Sequence, residues 1–117
     1  MMPKEVLQQW IDAFNQGNAE IISGYYADDA INHQVAKGEP VIEKAAIKQM
    51  FEDEFAAADM ACIPENIFQD GEWAMLEWKD PTGLRGCGFF HIKDDKIIFQ
   101  RGYFDNLSML RIFGLPI

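Results

Sequence analysis

Apolar residues recur three and four positions apart at the start of the chain, where Val6, Leu7, Trp10, Ile11 and Phe14 share one helical face. Pro3 suits the first turn of that helix and Gly17 its end, so the pattern predicts an amphipathic first helix. Asn18 can cap a shorter second helix carrying Ile21, Ile22, Tyr25 and Tyr26, which is expected to run out at the turn-like "ADDA". A strand, "AINHQVA", follows. After the break at "KGEP", the run "IEKAAIKQMFEDEFAAA" places Ile47, Met50, Phe51 and Phe55 on one side and Glu and Lys on the other, predicting a second long helix.

The texture then changes to four extended runs: "MACIPENIFQ", "EWAMLEWKD", "LRGCGFFHI" and "KIIFQRGYFD". They are separated by "DG", "DPTG" and "KDD", turns short enough for antiparallel hairpins. Helices gathered before a meander imply an α+β fold in which the helices bury their stripes on one face of a curved, mostly antiparallel sheet. Several strands are apolar on both faces. In "EWAMLEW" one side carries Trp73 and Met75 and the other Ala74, Leu76 and Trp78, so the outer face is expected to be covered by a second copy in a homodimer.

The closing strand poses the chemical question. Arg101, Tyr103 and Asp105 alternate, so simple pleating points all three the same way, in a segment otherwise rich in Phe, Ile and Leu. Turned inward, they would furnish an apolar hollow with ionisable groups; turned outward, Arg101 and Asp105 would flank Tyr103 as an edge ion pair.

Composition narrows the options. A chain of 117 residues is enough for one core and one domain, residues 1–117. The net charge of −9, with ten scattered Lys and Arg, disfavours nucleic acid and acidic membranes as partners. No apolar run approaches the ~20 residues of a membrane span, and "MMPKEVLQQW" lacks a signal-peptide core, so a cytoplasmic location is expected. Cys62 and Cys87 form no CxxC, and His33 and His91 no metal-ligand spacing; reduced thiols and no metal are expected. In "GLRGCGFF" the glycines lack phosphate-loop spacing, and bulging or close packing explains Gly86 and Gly88 better.

Three stretches, "WIDAFNQGNAEIISGYYADDA", "INHQVAKGEP" and "KIIFQRGYFDNLSMLRIFG", together resemble the nuclear transport factor 2-like superfamily. This is the cone-shaped α+β roll of ketosteroid isomerases, limonene-epoxide hydrolases and polyketide cyclases of the SnoaL type. The resemblance implies three helices on a curved mixed sheet, a short C-terminal helix, and a small apolar pocket floored by the last strand.

It also allows the family activities to be compared residue by residue. Against the isomerases, Gln34 falls at their catalytic aspartate, Trp10 at their oxyanion-binding tyrosine, and Gly88 near their protonated aspartate. Gln cannot take a proton from carbon, so that mechanism is disfavoured. Against the epoxide hydrolases, Asp105 fits one acid, Glu72 and Glu77 lie in the strand expected to supply the rest, and the missing Arg would have to come from Arg101. Against the cyclases, His91 and Asp105 have the family's spacing of a histidine and an aspartate 14 residues later. A hairpin closing through Asp94 and Asp95 would nevertheless put His91 on the face opposite Asp105 unless a bulge intervenes.

The resulting expectation is a cofactor-free pocket for a small apolar molecule bearing a polar group. Asp105 would be the general acid or base, assisted by Tyr103, Arg101 and His91; Asn32 and Gln34 would orient the ligand between Trp10, Phe14 and Phe90. An isomerase, cyclase or hydratase-like enzyme is one form of this expectation, and a binding or dimeric assembly module without catalysis is the other.

Overall fold

The computed structural model describes all 117 residues, Met1–Ile117. Helix α1 (Pro3–Gln16) ends where Gly17 takes a left-handed conformation and returns its N–H to the carbonyls of Ala13 and Phe14. Helix α2 (Ala19–Ser23) starts on the Asn18 side chain, which accepts the Ile21 N–H at 3.0 Å. Strand β1 (Tyr26–Gln34) follows, then a 3-10 turn (Val35–Lys37), β2 (Val41–Ile42) and α3 (Lys44–Ala57). The meander is β3 (Ile63–Asp70), β4 (Trp73–Lys79), β5 (Arg85–Lys93) and β6 (Lys96–Phe104), and α4 (Asn106–Ile112) closes the chain.

One six-stranded sheet runs in the order β2-β1-β6-β5-β4-β3, antiparallel except for the parallel pairing of β1 with β6. The helices bury their apolar stripes on one face. Val6, Leu7, Trp10 and Ile11 of α1 and Ile47 and Phe51 of α3 meet Ala74, Leu76 and Phe90 of the sheet in one hydrophobic cluster. This is the α+β roll expected from the order of patterns along the chain.

Two local expectations are corrected. "ADDA" is not a turn after α2 but part of β1: Ala30 is buried, Asp28 and Asp29 are exposed, and the pairing with β6 slips between Tyr26 and Ile31. The slip lets two acids bulge to solvent without ending the strand. The sheet also has a sixth strand, β2, whose two residues are too few to give a periodic signal.

The β5–β6 hairpin closes through Asp94 and Asp95, both at positive φ, with Lys93 opposite Lys96 and Ile92 opposite Ile97. The next pair is His91 with Phe99, so Ile98 is an extra residue in β6. That bulge decides which side chains of the last strand face the helices.

Candidate functional site

Beyond Ile98 the pleat of β6 is inverted. Ile97 is fully buried beneath the helices, and simple alternation would have sent Phe99, Arg101 and Tyr103 in after it. The extra residue sends Gln100, Gly102 and Phe104 inward instead. They line a cavity of about 360 Å³ between the sheet and the helices, together with Trp10 and Phe14 of α1 and Asn32 and Gln34 of β1. Leu76, Trp78, Phe90 and Phe51 add apolar wall, and Met109 and Phe113 reach it from the C-terminal segment.

The floor is a chain of neutral polar side chains. Trp10 Nε1 donates to the Tyr26 hydroxyl at 3.0 Å, and that hydroxyl donates to Gln100 Oε1. Asn32 Nδ2 approaches the same hydroxyl at 3.5 Å, and Asn32 Oδ1 accepts from Gln34 Nε2 at 2.9 Å. Tyr26, Asn32 and Gln100 are all buried. Burial pushes the Tyr26 phenol well above its ordinary ionisation range, and the hydrogen bond from Trp10 only partly opposes this. The hydroxyl therefore remains a neutral donor. Gly102 lies under the Gln34 amide, where a Cβ would overlap it, so the missing side chain makes room for that amide.

Charged groups in the lining are Lys37, Glu54, Asp59 and Asp80. Lys37 Nζ and Glu54 Oε1 pair at 2.6 Å, and Asp80 is occupied by the N–H groups of Thr82 and Leu84 in its own loop. No carboxylate or imidazole belongs to the floor.

All five expected ligand-binding residues, Asn32, Gln34, Trp10, Phe14 and Phe90, are brought together in this cavity. The four expected catalytic residues are not among them, and here the structure corrects the sequence reading. The Ile98 bulge does place His91 on the same face as Arg101 and Tyr103, but that is the outer face. His91 stacks on Trp73 with ring centres 4.6 Å apart and bonds Glu72 at 3.0 Å. Arg101 lies over the Phe99 ring at 4.9 Å, and Tyr103 is 41 % exposed.

Asp105 precedes α4 at the exposed rim and accepts from the Ser108 hydroxyl, which holds its carboxyl below the usual range. It is an ionised helix-end group, remote in role from a buried proton shuttle. The edge ion pair between Arg101 and Asp105 does not form either: Arg101 makes no salt bridge, and its Nε is buried without a partner. A shallow outer groove bounded by Glu65, Glu77, Arg85, Tyr103 and Asp105 holds about 410 Å³ of largely open space. It is open to solvent rather than an enclosed hollow, so the inner cavity is the better candidate.

Sequence reasoning missed Gln100 and Tyr26. The available signal was the triplet Gln100, Gly102, Phe104, in which a polar residue and a glycine share a pleat, but Arg101 and Tyr103 offered more conspicuous chemistry on the other pleat.

The match to known proteins follows this geometry. The SnoaL-like domain model matches residues 7–100, a span that takes in most of α1, β1 to β5, the first half of β6 and every polar residue of the floor. The chain belongs to the SnoaL-like family. No match is found among curated proteins.

Solved structures share the SnoaL-like fold at low identity. A protein of ketosteroid isomerase-like fold from Catenulispora acidiphila, solved with trimethylamine, is 17 % identical with a TM-score of 0.85, covering 99 % of this chain and 96 % of that one. IdmH from Streptomyces antibioticus, described as a candidate polyketide cyclase, is 20 % identical with a TM-score of 0.83 over 98 % and 100 % of the two chains. A nuclear transport factor 2-like protein from Cytophaga hutchinsonii is 12 % identical with a TM-score of 0.81 over 94 % and 96 %.

Proposed function

We propose that this SnoaL-like chain binds an uncharged, largely apolar small molecule in the inner cavity and acts as a binding module. One observation carries this reading: the cavity of about 360 Å³ is walled by aromatic and aliphatic side chains and floored by neutral hydrogen-bonding groups. A general acid or base would need a carboxylate or imidazole beside the polar end of the bound molecule; the floor has none, and the carboxylates of the lining, Glu54, Asp59 and Asp80, lie outside its hydrogen-bonded chain. The test is calorimetric titration with 1-tetralone, an uncharged two-ring ketone. Saturable binding that survives Asp105→Asn is expected; absence of binding would refute the reading.

A cyclase- or isomerase-type activity is the second reading. The candidate cyclases among the structural relatives favour it, as does Glu54, whose carboxylate reaches the cavity lining and is only 18 % exposed. In such an enzyme Glu54 would move the proton while the floor amides hold a carbonyl. Glu54→Gln would then abolish turnover and leave binding in place.

The outer face supports a homodimer. Trp73, Phe89, Phe99 and Tyr103 share that face in two aromatic pairs, Trp73 edge-on to Phe99 and Phe89 edge-on to Tyr103. Arg101 lies within it without an acid, and the exposed Glu77 of a second copy is a carboxylate of the right kind on the same face. A stable pair would bury about 800 Å² per copy. Light scattering should give twice the chain mass, with Phe89→Glu reducing it to one; a monomeric parent protein would refute the pairing. The net charge of −9 suits neither nucleic acid nor an acidic membrane, no helix is long and apolar enough to cross a membrane, and the free Cys62 and Cys87 suit a cytoplasmic setting.

A further inference from the structure

We infer that the cavity floor reads its ligand through one fixed donor, Gln100 Nε2, and one fixed acceptor, Gln34 Oε1, selecting uncharged, largely apolar compounds that carry both a carbonyl and a hydroxyl. This rests on the binding reading above and deepens it by naming the class of ligand.

The direction of the hydrogen bonds follows from donor chemistry. An indole N–H can only donate, so the Tyr26 oxygen must accept from Trp10 Nε1. Its single proton is then free to go elsewhere, and it goes to Gln100 Oε1. With its oxygen turned to the Tyr26 hydroxyl, the Gln100 amide is left with its NH₂ as the group that has no partner in the chain. Gln100 is 4 % exposed and lines the cavity, and its Nε2 makes no hydrogen bond within the chain. It is not sealed off in protein either, because Arg101 Nε is the one deeply buried side-chain atom left without a partner. The donor therefore opens to the hollow.

Gln34 is fixed in the opposite sense. Its Nε2 donates to Asn32 Oδ1 at 2.9 Å, while the Asn32 amide nitrogen turns toward the Tyr26 hydroxyl, so the two amides lock each other's orientation. Gln34 Oε1 accepts nothing within the chain and lies over Gly102, where a Cβ would displace it. Gln100 and Gly102, the glycine under Gln34 Oε1, are two residues apart on the same face of β6, so the donor and the acceptor occupy neighbouring positions along the floor. Anionic ligands are disfavoured, because the charged residues of the lining without an ion-pair partner are acidic: Lys37 is spent on Glu54, whereas neither Asp59 nor Asp80 has a cation.

The experiment compares 6-hydroxy-1-tetralone, 6-methoxy-1-tetralone, 1-tetralone and tetralin by calorimetric titration of the full chain. Tetralin probes the apolar walls alone, 1-tetralone adds the acceptor, and the hydroxyketone adds the donor. The expected order is hydroxyketone over ketone over tetralin, with steps of about five- to ten-fold, one net hydrogen bond each. Methylating the hydroxyl should remove the first step. Gln34→Leu should abolish the preference for hydroxy over methoxy and keep that for ketone over tetralin; Gln100→Leu should do the reverse.

Tyr26→Phe frees the Gln100 amide to rotate, so the ketone step should shrink although no residue contacting the ketone has changed. Circular dichroism of each variant checks that it is folded, and ligand ratios within one variant are insensitive to its stability. If the four compounds bind with equal affinity, the donor and acceptor assignment is overturned while the apolar cavity stands. If none binds, both readings fall.

Discussion

Removing one oxygen tests the hub of the floor. Tyr26→Phe keeps the ring, which is almost completely buried and packs at 6.1 Å from Phe51, but deletes the hydroxyl that joins Trp10 to Gln100. Trp10 Nε1 is left with no other acceptor, in a residue only 6 % exposed. Gln100 Oε1 loses its donor but borders the cavity and can recover part of the loss there. An unsatisfied buried polar group costs about 1–3 kcal/mol, so the substitution should destabilise the fold by about 2–4 kcal/mol.

Urea unfolding followed by tryptophan fluorescence, at fixed chain concentration because a dimer would couple stability to it, is the assay. With a slope of about 2 kcal/mol/M, the midpoint should fall by about 1–2 M without a change of slope. Tyr103→Phe, at a partly exposed hydroxyl without a hydrogen-bond partner, should stay within about 0.5 kcal/mol of the parent. Adding Trp10→Phe to Tyr26→Phe should cost less than the sum of the two single changes, since the donor and its acceptor then leave together. If Tyr26→Phe unfolds within about 0.5 kcal/mol of the parent, the hydroxyl is not the structural centre of the floor and the orientation argued for Gln100 fails with it.

Two further outcomes follow from the packing. A Cβ at Gly86 would meet the Tyr103 carbonyl oxygen at 2.6 Å and the Trp78 ring, and the backbone atom cannot yield, so Gly86→Ala should lower thermal stability by about 1–3 kcal/mol; an unchanged melting temperature would refute this. Burial pushes the Cys62 thiol up to about 11 from an ordinary value near 9, so its neutral form is favoured in the fold. The stability this contributes is fully present below about pH 9 and is lost as pH rises towards 11. At pH 8 an aromatic disulfide reagent should leave Cys62 untouched in native protein and reach it in denaturant, and rapid native reaction at Cys62 would count against its burial.

How far the sequence could be read depends on the length of each signal. The stripe from Val6 to Phe14 and the one from Ile47 to Phe55 repeat often enough that a single odd residue does not displace them, and both helices formed where the spacing placed them. The caps were legible because Gly17 and Asn18 act through their own backbone and side-chain chemistry. The tight hairpin through Asp94 and Asp95 was legible from its turn residues. In β1 the same logic worked past the slip: Asn32 and Gln34 lie two apart, with no bulge between them, and both reach the cavity.

β6 shows why strand faces are fragile where helix faces are not. A helical stripe tolerates an inserted residue with a rotation of about 100°, whereas a strand has only two faces and one insertion exchanges them. Ile98 is that insertion, and it is itself apolar, so nothing in the run "KIIFQRGYF" marks it off from its neighbours. The exchange has a chemical consequence. Without it, a guanidinium and a second phenol would enter a cavity whose floor is otherwise neutral, and Gln100 would face outward, leaving the Tyr26 proton without its acceptor. With it, the groups that would be costly to bury unpaired lie on the outer face among aromatic rings, and the inner face receives an amide and a glycine. Together with the seating of Gln34 over Gly102, this makes the bulge the local feature that separates the two faces of the sheet into a neutral interior and an aromatic, cation-bearing exterior.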